Sequence, residues 1–174
     1  MNVLGRLLAS LTTVATFVGA VAVILMIVHI TVDVILRNVF LMSVPATGGI
    51  VANYYMAAVS FLPVALAAKL DQHIAVDIVF NRLPQRVQVW NLQAVRLLVA
   101  VVAGAAAYGF LLDAVQKYQL GSYVLEMNVR IPNWPGYFML PIGFGLWSAL
   151  NLYKIAVFLT GAEDQLGTPR DAAL

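Results

Sequence analysis

The chain has 174 residues, 62% of them hydrophobic and 10% charged, with a formal net charge of +2 and no cysteine. An ordinary soluble domain carries about 25% charged residues, so the composition excludes one that covers its own surface and indicates an integral membrane protein. Disulfides and thiolate metal sites are excluded with the missing cysteine, and no basic cluster suits nucleic acid.

A bilayer core of about 30 Å takes roughly 20 helical residues. Leu7 to Val28 carries no ionisable residue, and a first span is predicted over about 7–36. Arg6, the apolar run and Ala20-Val21-Ala22 together have the outline of a signal peptide. The run is longer than the roughly 7–15 residues of a signal's apolar region, so a retained span is expected. His29, Asp33 and Arg37 share a helical face near the end of this span, and Asp before Arg is the favourable order for an ion pair. The stripe reads either as a pair that ends the helix or as a docking site for another membrane subunit. A proton relay would need a second buried acid or base, which no other span supplies.

Pro45, Gly48 and Gly49 then break the pattern, and a second span is predicted over about 49–69. Pro63 inside it is tolerable if neighbours satisfy the freed carbonyl. In LDQHIAVDIVFNRLP, residues 70–84, His73, Asp77 and Asn81 fall on one stripe, with Ala75, Val76, Val79, Phe80 and Leu83 around it. This stretch is too short and polar to span and ends at Pro84, so it is expected as a cytoplasmic interfacial helix over about 72–84, with Arg82 near its end. His73 and Asp77 fall short of the four ligands of a structural zinc, and His73 reads as an interfacial polar residue.

A third span is predicted over about 89–115. Its uncharged centre, Leu97 to Leu112, covers about 24 Å at 1.5 Å per residue, and Arg96 can extend it by reaching back to the interface. Ala100/Gly104, Ala103/Ala107 and Ala105/Gly109 are pairs of small residues that let helices approach closely. The following loop, QKYQLGSYVLEMNVRIPNWPGY, offers Glu126, Arg130 and Trp134 either to cap the bundle or to touch a soluble partner. The fourth span is predicted over about 135–159, with Gly145/Ala149 as a further small pair and a polar, frayed tail over 160–174. Trp134 and Tyr137 at one end and Tyr153 and Lys154 at the other read as interface anchors.

Arg6, Lys69, Arg82, Arg86, Arg96, Lys154 and Arg170 fall on the side of the termini, and Arg37, Lys117 and Arg130 on the other. That asymmetry predicts both termini in the cytoplasm. The expected fold is therefore an all-α membrane domain of four transmembrane helices plus a short interfacial helix. Enzyme chemistry finds no acid pair, nucleophile–base set or phosphate loop. His29 and His73 lie near opposite interfaces and cannot face one another across a haem. A stand-alone transporter should carry mid-depth polar residues or interrupted repeats, and here only Pro63 and Pro141 interrupt. The chain reads as a membrane scaffold that needs a partner; the alternatives are a small homo-oligomeric transporter or channel, or an assembly or regulatory membrane protein.

Four stretches carry a resemblance that covers almost the whole chain. They are Asp33-x-x-x-Arg37-x-x-Phe40; His73-Ile74-x-Val76-Asp77 with Arg82-Leu83-Pro84; Ile131-Pro132-x-Trp134; and Leu140-Pro141-x-Gly143-Phe144. In this order they resemble the small, DctQ-type membrane subunit of tripartite ATP-independent periplasmic (TRAP) transporters. One departure stands out: the family usually has a glutamate soon after the proline that opens helix two, whereas here no acid appears between Pro45 and Asp71. The resemblance implies a multi-pass protein of the bacterial inner membrane. It implies a large subunit (M) that binds substrate and sodium and moves as an elevator, and a periplasmic binding protein (P) that delivers an organic acid. The small subunit would extend the static scaffold and hold no cofactor. Candidate subunit contacts are Asp33, Arg37, Phe40, Gly104, Ala107 and Gly145; Glu126, Arg130 and Trp134 are candidates for the periplasmic partner.

Overall fold

The structure, a computed structural model, describes residues 2–42, 44–70, 84–161 and 166. The expected interfacial helix, with His73, Asp77 and Arg82, lies outside the described residues. The described chain is mostly helical: α1 Asn2–Phe40, α2 Thr47–Lys69, α3 Gln85–Gln119 and α4 Trp134–Thr160, with a hairpin of β1 Tyr123–Glu126 and β2 Val129–Pro132 between α3 and α4. All four helices are long and apolar enough to cross a membrane.

Small residues decide how the helices meet. On α1, Gly5, Leu8, Thr12, Ala15, Gly19 and Ala22 are buried, a seam of three- and four-residue steps along one face, and Asp33 is buried about three turns further on. Within it, the Thr12 hydroxyl is satisfied by the Leu8 carbonyl at 2.8 Å. Most of the rest of α1 is apolar, and much of it is exposed, as in a membrane helix turned toward lipid or another subunit.

Helix α2 packs between α1 and α4. It is interrupted twice: by a π-helical turn over Val51–Tyr55, and by a break at Leu62 and Pro63 before the last turns, Val64–Lys69. Proline causes the break, because it has no N–H to donate and its ring crowds the preceding turn; the chain resumes with Leu66 N–H on the Pro63 carbonyl at 2.9 Å. Glycines on both neighbours meet this irregular backbone. Gly19 of α1 lies against the Pro63 ring. Gly136 and Gly143, two turns apart on α4, lie against the carbonyls of Asn53 and Phe61, where an added Cβ would come within 1.9 and 2.1 Å of the oxygen. Phe144, beside Gly143, fixes the same level by contacting Phe61 of α2, Phe110 of α3 and Trp147, with ring centroids 5.4–6.0 Å apart.

Helix α3 packs along α4. Ala100, Ala103 and Ala114 are buried, and Ser148 Oγ of α4 donates to the Ala100 carbonyl at 2.7 Å. Two of the expected small pairs thus serve this seam. The third does not: Ala105 is exposed and Gly109 has no neighbour within 4 Å of a modest side chain, and Gly145 on α4 is equally open.

Two expectations are corrected. Tyr153 and Lys154 are not interface anchors: they are 3% and 5% exposed, inside the bundle. The Lys154 ammonium turns onto the carbonyls of Ala68 (2.7 Å) and Lys69 (3.1 Å) at the end of α2. There it satisfies orphan acceptors at the negative pole of the helix. The fold is also not wholly helical. Tyr-Val-Leu and Val-Arg-Ile are β-favouring runs, and they pair antiparallel around the two-residue turn Met127-Asn128. Both turn residues have positive φ, 46° and 65°, the type I′ geometry that suits strand twist.

Candidate functional site

The hairpin end of the bundle brings together most of the polar side chains that the sequence singles out. Glu126, last residue of β1, sends its carboxylate onto the N–H of Gly49 in the first turn of α2. The N-terminal N–H groups of a helix have no partner within it, and a carboxylate suits both the missing bond and the positive pole. Gly48 and Gly49 leave the room: a Cβ at either would meet the Glu126 carboxylate within 2.8 Å. No acid stands nearby in sequence, so the acid at the start of this helix comes from the hairpin. The Tyr54 hydroxyl, on the π turn, donates to the Pro132 carbonyl at the end of β2. Ile131, 5% exposed, packs against Gly49.

On the neighbouring side, Asp33 is 5% exposed and doubly engaged. Its Oδ2 accepts from Arg37 at 3.0 Å and its Oδ1 from the Val44 N–H at 2.8 Å. The second bond ties down the connection between α1 and α2, which turns through left-handed residues at Leu41 (φ 55°) and Ala46 (φ 67°). Arg37 keeps a side chain 61% exposed. The pair is therefore asymmetric: the acid is desolvated by its own chain while the base faces outward. His29, one turn before Asp33, stands edge-on to Tyr55, with Nδ1 3.4 Å from its hydroxyl.

The remaining candidates separate. Phe40 is 61% exposed at the end of α1. Gly104 faces Ser148. Ala107 lines a shallow apolar groove with Tyr108, Leu111, Phe138, Pro141 and Ile142. Trp134 belongs to the bundle, packed edge-on against Tyr118 and Phe138. Arg130 is exposed, its guanidinium 5.0 Å over the Tyr123 ring. Sequence reasoning missed Lys154, Tyr54 and the glycines Gly136 and Gly143 as the residues that fix α2. The seven-residue spacing of the two glycines, which puts them on one helical face, was the available signal.

The profile of the family described as "Tripartite ATP-independent periplasmic transporters, DctQ component" matches residues 26–161. The isethionate TRAP transporter permease protein DctMQ of Oleidesulfovibrio alaskensis is 31% identical over 115 residues. That stretch covers 65% of this chain and 18% of the relative, so the chain spans only a small part of that protein's length.

Proposed function

The chain belongs to the DctQ component family of TRAP transporters, and from that premise we propose that it is the static scaffold on which a large M subunit works. The observation that carries the scaffold reading is the fixing of α2. Its first turn is held by Glu126, its last carbonyls by Lys154, and its two faces by glycine contacts from α1 and α4. A helix clamped in this way suits a frame better than a moving part. The relative's name joins the M and Q components in one protein, which supports a small component beside a larger one.

In this reading the M subunit binds substrate and sodium and moves as an elevator, and a periplasmic protein delivers an organic acid. This chain holds no cofactor. It lies in the bacterial inner membrane with both termini in the cytoplasm and the hairpin end in the periplasm, an orientation supported by its basic residues. Isethionate belongs to the relative; in this chain's complex, substrate choice rests with the other subunits.

Reconstitution tests the proposal. Proteoliposomes with this chain, the large subunit and the binding protein should take up an organic acid on a sodium gradient, and those with this chain alone should not. Saturable sodium-driven uptake by this chain alone would end the scaffold reading.

A further inference from the structure

We propose that the C-terminal tail is a releasable strap: Leu166 plugs the end of the bundle where both termini lie and keeps the Lys154 clamp on α2 out of water. Such a device goes beyond the scaffold reading and stands on the fold of this chain alone.

The tail's composition does not predict a seat in the core. From Gly161 it runs GAEDQLGTPRDAAL, with three acids, one arginine and one proline. Leu166 is its one large apolar residue before the final Leu174. A frayed tail is expected, yet Leu166 is 1% exposed. It joins a buried cluster with Leu8 of α1, Ala65 and Ala68 of α2, and Leu150 and Tyr153 of α4. Three helices and the tail thus share one apolar seat.

The path to that seat is a reversal. Gly161 closes α4 in the left-handed region, with φ 61°, a conformation that turns a chain off its helix and that glycine adopts without strain. Leu150 and Tyr153 lie 11 and 8 positions before Gly161, about 16 and 12 Å back along the helix at 1.5 Å per residue. The five residues from Gly161 to Leu166 can span about 17 Å, enough to make the return.

What the plug covers gives it a role. Ala65 and Ala68 are 0% and 2% exposed, and their methyl groups are too small to fill the space between helix ends. The Ala68 carbonyl is also one of the two that hold the Lys154 ammonium. Such a charged hydrogen bond is strong where water is excluded and weakens when water competes for both partners. The seat also carries a cost. In the same cluster the Tyr153 hydroxyl is buried with no hydrogen-bond partner among the described residues. A buried hydroxyl without a partner costs free energy that hydration returns. Opening therefore gives up the burial of one leucine and recovers a solvated hydroxyl, which narrows the gap between the two states. Seated, the tail locks the last turn of α2; released, it leaves that turn free to shift.

Cysteine accessibility of the full-length chain in lipid nanodiscs tests this, because the chain has no native cysteine. A single Ala68→Cys should react slowly with a water-soluble maleimide. Adding Leu166→Ser, or ending the chain at Gly161, should speed that reaction by about tenfold or more, the equilibrium worth of burying one leucine. Leu166→Met, which keeps the volume, should leave it slow. Ile131→Cys, at a position 5% exposed at the hairpin end, should stay slow with either tail, because only the near end opens. An Ala68→Cys that is slow whatever stands at position 166 would overturn the proposal, and so would one that is fast with Leu166 in place. A parallel rise at Ile131→Cys would overturn it too, because Leu166 would then be a general stabiliser of the bundle.

Discussion

Asp33 and Arg37 form one ion pair but contribute unequally. Removing the acid frees the half-buried Val44 N–H as well as the arginine. Asp33→Ala should therefore cost about 1–3 kcal/mol, the range for leaving buried hydrogen-bonding groups unpaired. Arg37→Ala should cost about 0–1 kcal/mol, as for an exposed pair, because Asp33 keeps its bond to Val44. Thermal unfolding of the purified protein in detergent should show that order; equal losses would mean that the Val44 bond contributes nothing. Lys154→Met should also destabilise, by about 1–3 kcal/mol, because the carbonyls of Ala68 and Lys69 lose their shared donor. The four-residue spacing of Asp33 and Arg37 was legible in sequence, because helical periodicity is local. The Val44 partner was not, because left-handed Leu41 and Ala46 shape that turn without the usual glycine or asparagine. Lys154 misled for a related reason: a lysine after a tyrosine at the end of an apolar run looks the same whether it meets headgroups or carbonyls.

At the scale of the element, α2 shows which glycines matter. Gly143→Ala puts a methyl against the Phe61 carbonyl, and backbone must move to relieve it. It should cost about 1–3 kcal/mol, as overpacking does, and Gly136→Ala should behave alike. Gly145→Ala meets open space and replaces a poor helix former, so the isolated chain should be unchanged or more stable by up to about 1 kcal/mol. If stability falls equally at positions 143 and 145, the α2–α4 contact is looser than the structure shows. Hydropathy placed the four apolar helices, and small-residue spacing found two of the three contacts it suggested on α3. The hairpin stayed hidden because its turn is Met-Asn rather than the Asn-Gly or Asp-Gly that signals type I′. The reach of Glu126 to Gly49, 77 residues away, leaves no local pattern at all.

For the molecule as a whole, the orientation can be measured directly, because the chain has no native cysteine. With both termini in the cytoplasm, an impermeant thiol reagent added to spheroplasts should label Met127→Cys and spare Val3→Cys and Gln165→Cys. The opposite pattern would invert the topology. The clamp on α2 also imposes a timetable on the nascent chain. When the second apolar segment leaves the ribosome, neither charge that will hold its ends has been made. Glu126 comes 77 residues after Gly49, and Lys154 86 residues after Ala68. At about 5–20 residues per second, the interrupted helix waits roughly 4–15 s with its first turn unmet, and no less for its last. During that interval it depends on lipid, translocon or chaperone for shelter. Quality-control proteases therefore have their best opportunity before α4 is complete, and chains truncated ahead of Lys154 should be cleared faster than the full-length protein in a pulse-chase measurement.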